Sequence, residues 1–219
     1  MLRLLQLLLF TTLLACSAFV AVKIPFLTWG PPRHLSSADG LYELRGLVFG
    51  SHVITAQLPL LWLTAAWLGP RRGAVAAMLY LGIGLGGLPV FSLGGGLDYV
   101  TQATFGYLLA FLPAVVVAGQ LAVQPRFGAI WSGFFKALLI VQAVGFVFQF
   151  LREGVLGTPS LWLPFFYDQV IQFLPGQVAL LTALAAAVLA LRKFTYVALG
   201  LLDGGAGEPS AALPSSAQA

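Results

Sequence analysis

The chain has 219 residues, of which 59% are hydrophobic and only 8% are charged. Soluble domains carry about 25% charged residues, so this composition excludes a protein surrounded by water and indicates one that lies in a lipid bilayer. The net charge of +4 does not indicate nucleic-acid binding, because the cations lie at the ends of apolar runs, where they orient membrane proteins. A single cysteine, Cys16, and two separated histidines predict no metal site, and we expect no cofactor.

Six apolar runs follow one another along the chain, and a membrane-spanning helix needs about 20 such residues. Helices are favoured over a barrel because the runs do not alternate in polarity. The predicted spans are Leu4–Ile24, Leu47–Leu68, Ala74–Leu88, Phe105–Val123, Ala129–Leu151 and Val170–Leu191. The sequence therefore predicts an all-α membrane protein with one six-helix transmembrane domain, residues 1–203. The tail, residues 204–219, is rich in Gly, Ala, Ser and Pro and is predicted to be disordered and cytoplasmic.

The first run also resembles a secretory signal. It has Arg3, an apolar core, and a Leu13–Cys16 segment that approximates a lipoprotein cleavage box. Because the apolar residues continue past Cys16 to Val22, retention as a helix is favoured over cleavage.

The connections between the runs predict an orientation. The segment Gly69–Gly73 reads as a tight basic turn, whereas residues 29–49, 92–104 and 152–168 form longer connections. Six cations lie on the side of the tight turns: Arg3, Arg71, Arg72, Arg126, Arg192 and Lys193. Four lie on the other side: Lys23, Arg33, Arg45 and Arg152. The positive-inside rule then predicts a multi-pass membrane protein with both termini in the cytoplasm.

The sequence contains no motif typical of an enzyme, of an ATP-hydrolysing subunit or of a proton-coupled transporter. It contains no G-x-x-x-x-G-K-[ST] phosphate-binding loop. The acids on the predicted outer side lie in loops or at span ends, which leaves no intramembrane carboxylate for proton coupling. The spans contain no paired acids, histidine cluster or activated nucleophile. We therefore predict that the protein is not an enzyme, and that concentrative transport would need a partner to supply energy.

Five motifs spread along the chain resemble the BioY family, the substrate-binding (S) components of energy-coupling-factor biotin importers. The motifs lie at Ser51–Gln57, Leu68–Gly73, Gly87–Phe91 with the glycines 94–96, Thr104–Leu108 and Phe173–Leu180, and the resemblance covers residues 5–193. It implies an S-component-like bundle that captures biotin or a related small vitamin from the outer face. It also implies a location in the bacterial plasma (inner) membrane, with a transmembrane coupling subunit and ATPase subunits as partners.

Two positions depart from the family pattern F-[IL]-P-G-D-L-I-K. Gln177 stands where the family has Asp, and Leu180 stands where it has Lys, two residues thought to contact biotin in the family. Glutamine keeps an acceptor and adds amide donors, whereas leucine removes a cation that could meet a carboxylate.

The resemblance and the polarity of the residues select five ligand-binding candidates: Gln57, Tyr107, Gln177, Thr55 and Asp98. An unpaired amide in lipid is unfavourable, so we expect Gln57 to face the bundle and to bond either a ureido-like ligand or a neighbouring helix. Tyr107 could instead belong to an interfacial aromatic belt. Gln177 could fill a helix kink, and Asp98 could simply be solvated.

Helical spacing places the members of two further residue pairs on the same face of a helix. Thr11 and Ala15 form a small-xxx-small pair that either packs within the bundle or, as the resemblance implies, docks the coupling subunit. Gln142 and Gln149 are seven residues apart on one helical face and could line a cavity or contact a neighbouring helix. The alternative to a transport subunit is an integral membrane scaffold or another non-transport membrane protein.

Overall fold

The structure, a computed structural model, describes residues 1–29, 42–44, 47–156, 170 and 173–203. Its helices are α1 Leu2–Cys16, α2 Gln57–Leu85, α3 Phe105–Leu109, α4 Phe111–Ala122, α5 Phe127–Leu156 and α6 Leu174–Asp203. Its strands are β1 Ala21–Trp29, β2 Tyr42–Leu44 and β3 Leu47–Thr55. Short 3₁₀ turns cover Ser17–Phe19 and Leu97–Thr101. Most of the first loop, most of the aromatic connection and the predicted disordered tail lie outside the described residues.

The predicted bundle of apolar helices is confirmed. Within the described residues, four helical stretches are long and apolar enough to cross a membrane: Leu2–Phe19, Phe105–Ala122, Phe127–Val155 and Leu174–Thr195. The number of six spans stays a prediction, because α2, which joins parts of the second and third predicted spans, is not among these four stretches.

Helix α2 consists of two arms that fold back on each other at Gly69. This residue has φ 73° and ψ −177°, a conformation that glycine adopts readily, and Pro70 suits the first turn of the second arm. A Cβ placed on Gly73 would lie 3.8 Å from the Cα of Ala65, whereas eight residues of straight helix span about 12 Å. The tight turn predicted for this segment is therefore confirmed.

A three-stranded antiparallel sheet includes residues 21–24 and 47–55, which were predicted to be helical. The strands lie in the order β1-β3-β2, and Ala21 pairs with Thr55. The predictions of a helix extending to Ile24 and of a helix beginning at Leu47 are wrong. Both segments are rich in β-branched and aromatic residues, which favour strands. Pro25 does not suit a helix interior and lies in an edge strand, where proline is tolerated.

The core of the bundle lies between α2, α4 and α5. Trp62 of α2 and Phe134 of α5 are fully buried and stack with their ring centroids 5.7 Å apart. Gly119 of α4 lies against the turn of α2, since a Cβ there would lie 2.7 Å from the nitrogen of Pro70. Small residues at such crossings let helices approach closely.

At one end of the bundle, a single arginine links α6 to α2 and α4. Arg192 of α6 donates hydrogen bonds to the carbonyl oxygens of Ala66, near the end of the first arm of α2, and of Ala122, at the end of α4. Cations near helix C-termini also interact favourably with the helix dipole. The C-terminal ends of the first α2 arm and of α4 therefore lie at one end of the bundle, beside the basic turn.

Candidate ligand-binding site

A cavity of about 340 Å³ lies at the other end of the bundle. Gln177 lines it, fifteen residues before Arg192 on the same helix, which corresponds to about 22 Å. Its walls combine apolar and uncharged polar side chains: Thr55, Gln57, Leu58, Ser92, Tyr99, Thr104, Tyr107, Leu108, Phe111, Val141, Gln142, Phe173 and Gln177. A mostly apolar cleft with a few convergent polar groups is the usual form of a small-molecule site.

Four of the five predicted ligand-binding residues line this cavity. Thr55 and Gln57 lie two residues apart where β3 meets α2, while Tyr107 comes from α3 and Gln177 from α6. Asp98 does not line it, and its side chain is exposed on the 3₁₀ turn, in agreement with the alternative of a solvated loop residue. The fold thus brings the four polar residues together, and ligand contact by any of them stays a prediction.

The amide of Gln57 is oriented by two hydroxyl groups. The Thr55 hydroxyl donates to Gln57 Oε1 at 3.0 Å, and Gln57 Nε2 donates to the Tyr80 hydroxyl at 2.6 Å. The Tyr80 hydroxyl in turn donates to the carbonyl oxygen of Val90 at 3.4 Å. The bond to Tyr80 joins the two arms of α2, as the interhelical alternative predicted. Since an amide nitrogen carries two hydrogens, one N–H of Gln57 is left for a ligand.

Gln177 pairs with a glutamine on the neighbouring helix. Gln142 Nε2 of α5 donates to Gln177 Oε1 of α6 at 2.8 Å, and both side chains line the cavity. The pair uses one donor and one acceptor, so amide hydrogens on Gln177 and the oxygen of Gln142 retain capacity for a ligand. Leu180, at the second position that departs from the family pattern, is not among the cavity-lining residues.

Tyr107 places a buried hydroxyl at the cavity. Within the described part of the chain this hydroxyl has no hydrogen-bond partner. The ring lies against Gly145 of α5, where a Cβ would overlap it, so the ring can occupy this position only because residue 145 has no side chain. A belt tyrosine would keep its hydroxyl in water, whereas a buried and unpaired hydroxyl is a group that a ligand can satisfy.

The sequence analysis missed a cluster of three hydroxyl groups in the cavity wall. The hydroxyl of Tyr99 lies 3.3 Å from Ser92 Oγ and 3.1 Å from Thr104 Oγ1. These residues belong to the glycine-rich connection, where the analysis singled out Asp98 for its charge. The number of hydroxyl side chains close to the glycines was the sequence signal that could have identified this cluster.

The glycine-rich connection is fastened to α5 beside the cavity. Arg152 Nε donates to the carbonyl oxygen of Thr101 at 2.8 Å, and Arg152 Nη1 forms an ion pair with Glu153 Oε1 at 2.8 Å. Gln149 Nε2 donates to the same carboxylate oxygen at 2.7 Å. Gln149 therefore contacts this ion pair and does not line the cavity, unlike Gln142.

The described walls of the cavity carry no formal charge, since they consist of Thr, Gln, Ser, Tyr, Leu, Phe and Val. Among the described residues, no group of three or more His, Cys, Asp or Glu side chains could hold a metal ion. What the site offers is amide and hydroxyl hydrogen bonding within apolar walls.

The predicted docking pair faces the interior of the bundle. Thr11 is buried, and its hydroxyl donates to the carbonyl oxygen of Leu7 at 2.9 Å. Ala15 is partly buried against the core. This placement favours the alternative of packing within the bundle, and docking of a partner at this pair stays a prediction.

Comparison with known proteins gives one family. The sequence model of the BioY family matches residues 1–196. The chain is 34% identical over 144 residues to a probable biotin transporter BioY of Lysinibacillus sphaericus, covering 64% of this chain and 72% of that protein. It is 32% identical over 134 residues to the biotin transporter BioY of Thermotoga maritima, covering 59% and 78% respectively.

A solved structure has the same fold. The crystal structure of the S-component for biotin from an ECF-type ABC transporter superposes with a TM-score of 0.59 and 18% sequence identity. The match covers 87% of this chain and 90% of that one. At this identity the likeness concerns the fold alone.

Proposed function

Because the chain belongs to the BioY family, we propose that it is a membrane-embedded substrate-binding subunit for the uptake of biotin or a related small vitamin. The observation that carries the proposal is the convergence of Thr55, Gln57, Tyr107 and Gln177 on one cavity. A membrane scaffold, the alternative function, has no need of such a cavity.

The chemistry of the cavity suits a cyclic urea. A ureido group has two N–H donors and a carbonyl acceptor, and the free capacities of the cavity are of both kinds. Gln142 can accept through Oε1, Gln57 and Gln177 can donate through their amides, and the Tyr107 hydroxyl can do either. Leu108, Phe111 and Val141 provide apolar walls for the remainder of a small bicyclic molecule.

The cavity is proposed to open to the outside of the cell. It lies opposite the end of the bundle that holds Arg192 and the basic turn, Arg71 and Arg72. The positive-inside rule assigns that basic end to the cytoplasm. In a Cys16→Ala background, a cysteine at Ser37 should then react with an impermeant reagent added to whole cells, whereas one at Ala217 should be protected.

Transport is proposed to depend on other subunits. The sequence holds no phosphate-binding loop, so ATP hydrolysis must come from ATPase subunits, joined to this chain by a transmembrane coupling subunit. Proteoliposomes that contain only this chain should fail to concentrate biotin when ATP is supplied. ATP-dependent accumulation by the chain alone would contradict this assignment.

Binding is tested directly by isothermal titration of the detergent-solubilised protein with biotin. Gln57→Leu should abolish or strongly weaken binding, because it removes the oriented amide from the cavity wall. Asp98→Asn is the matched control, since Asp98 is exposed and outside the cavity, and it should bind like the unmodified chain. Loss of binding in Asp98→Asn with retention in Gln57→Leu would show that the ligand lies elsewhere.

A further inference from the structure

The described polar groups of the cavity wall are neutral, and the charged side chains described on α5 and α6 do not line it. None of the described lining residues is an acid, a lysine or an arginine. Arg152, beside the glycine-rich connection, is bonded to Thr101 and paired with Glu153. Arg192 binds backbone carbonyls at the opposite end, and Lys136 is exposed on the outside of α5.

A carboxylate placed among the described walls would lose its hydration and would meet no lysine or arginine side chain there. Burying an unpaired charge is strongly unfavourable, and the buried Glu153 carboxylate is already paired with Arg152. The amide N–H groups of Gln57 and Gln177 can bind a ureido carbonyl at no such cost. The described walls therefore distinguish ligands by their neutral hydrogen-bonding groups.

On the basis of the proposed function, we infer that this site recognises the uncharged ureido part of its ligand and does not require the carboxylate. It then accepts neutral carboxyl derivatives of biotin, its amides and esters, about as well as biotin itself. In this arrangement the valeryl chain and its terminal group extend out of the neutral cavity toward water.

The test is a comparison of biotin, biotinamide and biotin methyl ester by isothermal titration of the detergent-solubilised full chain. The three dissociation constants should agree within about threefold. They should also stay the same at low and high salt, because salt screens charge interactions and the inferred binding uses none. A charge-assisted hydrogen bond to the carboxylate would instead favour biotin by roughly ten- to hundredfold. A preference of that size that weakens with salt would overturn the inference and leave biotin binding itself intact.

A cation placed in the wall provides the matched variant. Phe173 lines the cavity one turn before Gln177, and Phe173→Lys should create a preference for biotin over biotinamide of about tenfold or more. Phe173→Met, which is of similar length and neutral, should keep the ratio near one. If Phe173→Lys does not fold, the ratio measured on the unmodified chain still decides the question. If the unmodified chain binds none of the three compounds, the proposed function fails and the inference fails with it.

Discussion

Removal of the Tyr107 hydroxyl should raise the stability of the ligand-free protein and weaken ligand binding at the same time. The hydroxyl is buried and has no partner among the described residues, while the ring is held against Gly145. Tyr107→Phe deletes only the oxygen and leaves the ring in place. Most substitutions in a binding site that weaken binding have no reason to stabilise the empty protein.

The expected changes in stability and in biotin affinity follow from the lack of a hydrogen-bond partner for the Tyr107 oxygen. A buried polar group without a partner costs about 1–3 kcal/mol, so its deletion should stabilise the empty protein by about 1 kcal/mol. For a chain of this size that is a rise of roughly 2–4 °C in melting temperature. A ligand that satisfies the hydroxyl recovers about 1–2 kcal/mol, so the loss of that bond should raise the dissociation constant for biotin roughly five- to thirtyfold.

The assay combines thermal unfolding of the detergent-solubilised protein, followed by tryptophan fluorescence, with titration of biotin. Tyr80→Phe is the matched control, because the same atom is deleted where it accepts from Gln57 at 2.6 Å. That variant leaves an amide hydrogen of Gln57 unpaired and should lower the melting temperature. If Tyr107→Phe lowers the melting temperature as Tyr80→Phe does, or leaves biotin affinity unchanged, the Tyr107 hydroxyl is not an open ligand contact.

Three further outcomes are expected. Gly145→Ala should displace the ring of Tyr107, destabilise the protein by about 1–3 kcal/mol through overpacking and weaken biotin binding. Gly128→Ala on the same helix has open space around it and should neither destabilise the protein nor weaken binding, because alanine is the better helix former. Equal losses in the two variants would refute the packing argument. Arg152→Gln should release the glycine-rich connection and speed biotin dissociation in stopped-flow measurements, and an unchanged rate would show that the connection is held by other contacts. Ala15→Leu should lower the melting temperature, since this residue packs against the core, and loss of partner co-purification at full stability would restore the docking assignment.

The helical part of the fold could be predicted because its signals are local. Long apolar runs without alternation predict spans, and glycine followed by proline and two arginines predicts the turn at Gly69. The sheet could not be predicted in the same way. The segments 21–29 and 47–55 are mostly apolar without a regular alternation, and periodicity alone cannot separate such a strand from a buried helix. Pro25 and the β-branched residues around it were the signals against a helix.

The site was predictable where a polar side chain stood in an apolar run. Gln57 and Gln177 were selected on that ground together with the family resemblance, and both line the cavity. Tyr80 was missed because a lone tyrosine in a hydrophobic segment is usually a core residue, and its bond to Gln57 exists only because α2 folds back at Gly69. The pairing of Gln142 with Gln177 depends likewise on how α5 and α6 lie side by side, which no local pattern contains.

The two ends of the bundle are held by hydrogen bonds of different kinds. At the basic end, Arg192 binds backbone carbonyls, which have no reason to exchange partners. At the cavity end, the bonds between helices run from one side-chain amide to another or to a hydroxyl, as in Gln142–Gln177, and each can be traded for a bond to a ligand. Entry of a ligand can therefore spread or draw together the helices at the cavity end while the basic end stays fixed. The bundle would then behave as a hinge whose pivot is at the basic end, at the guanidinium of Arg192.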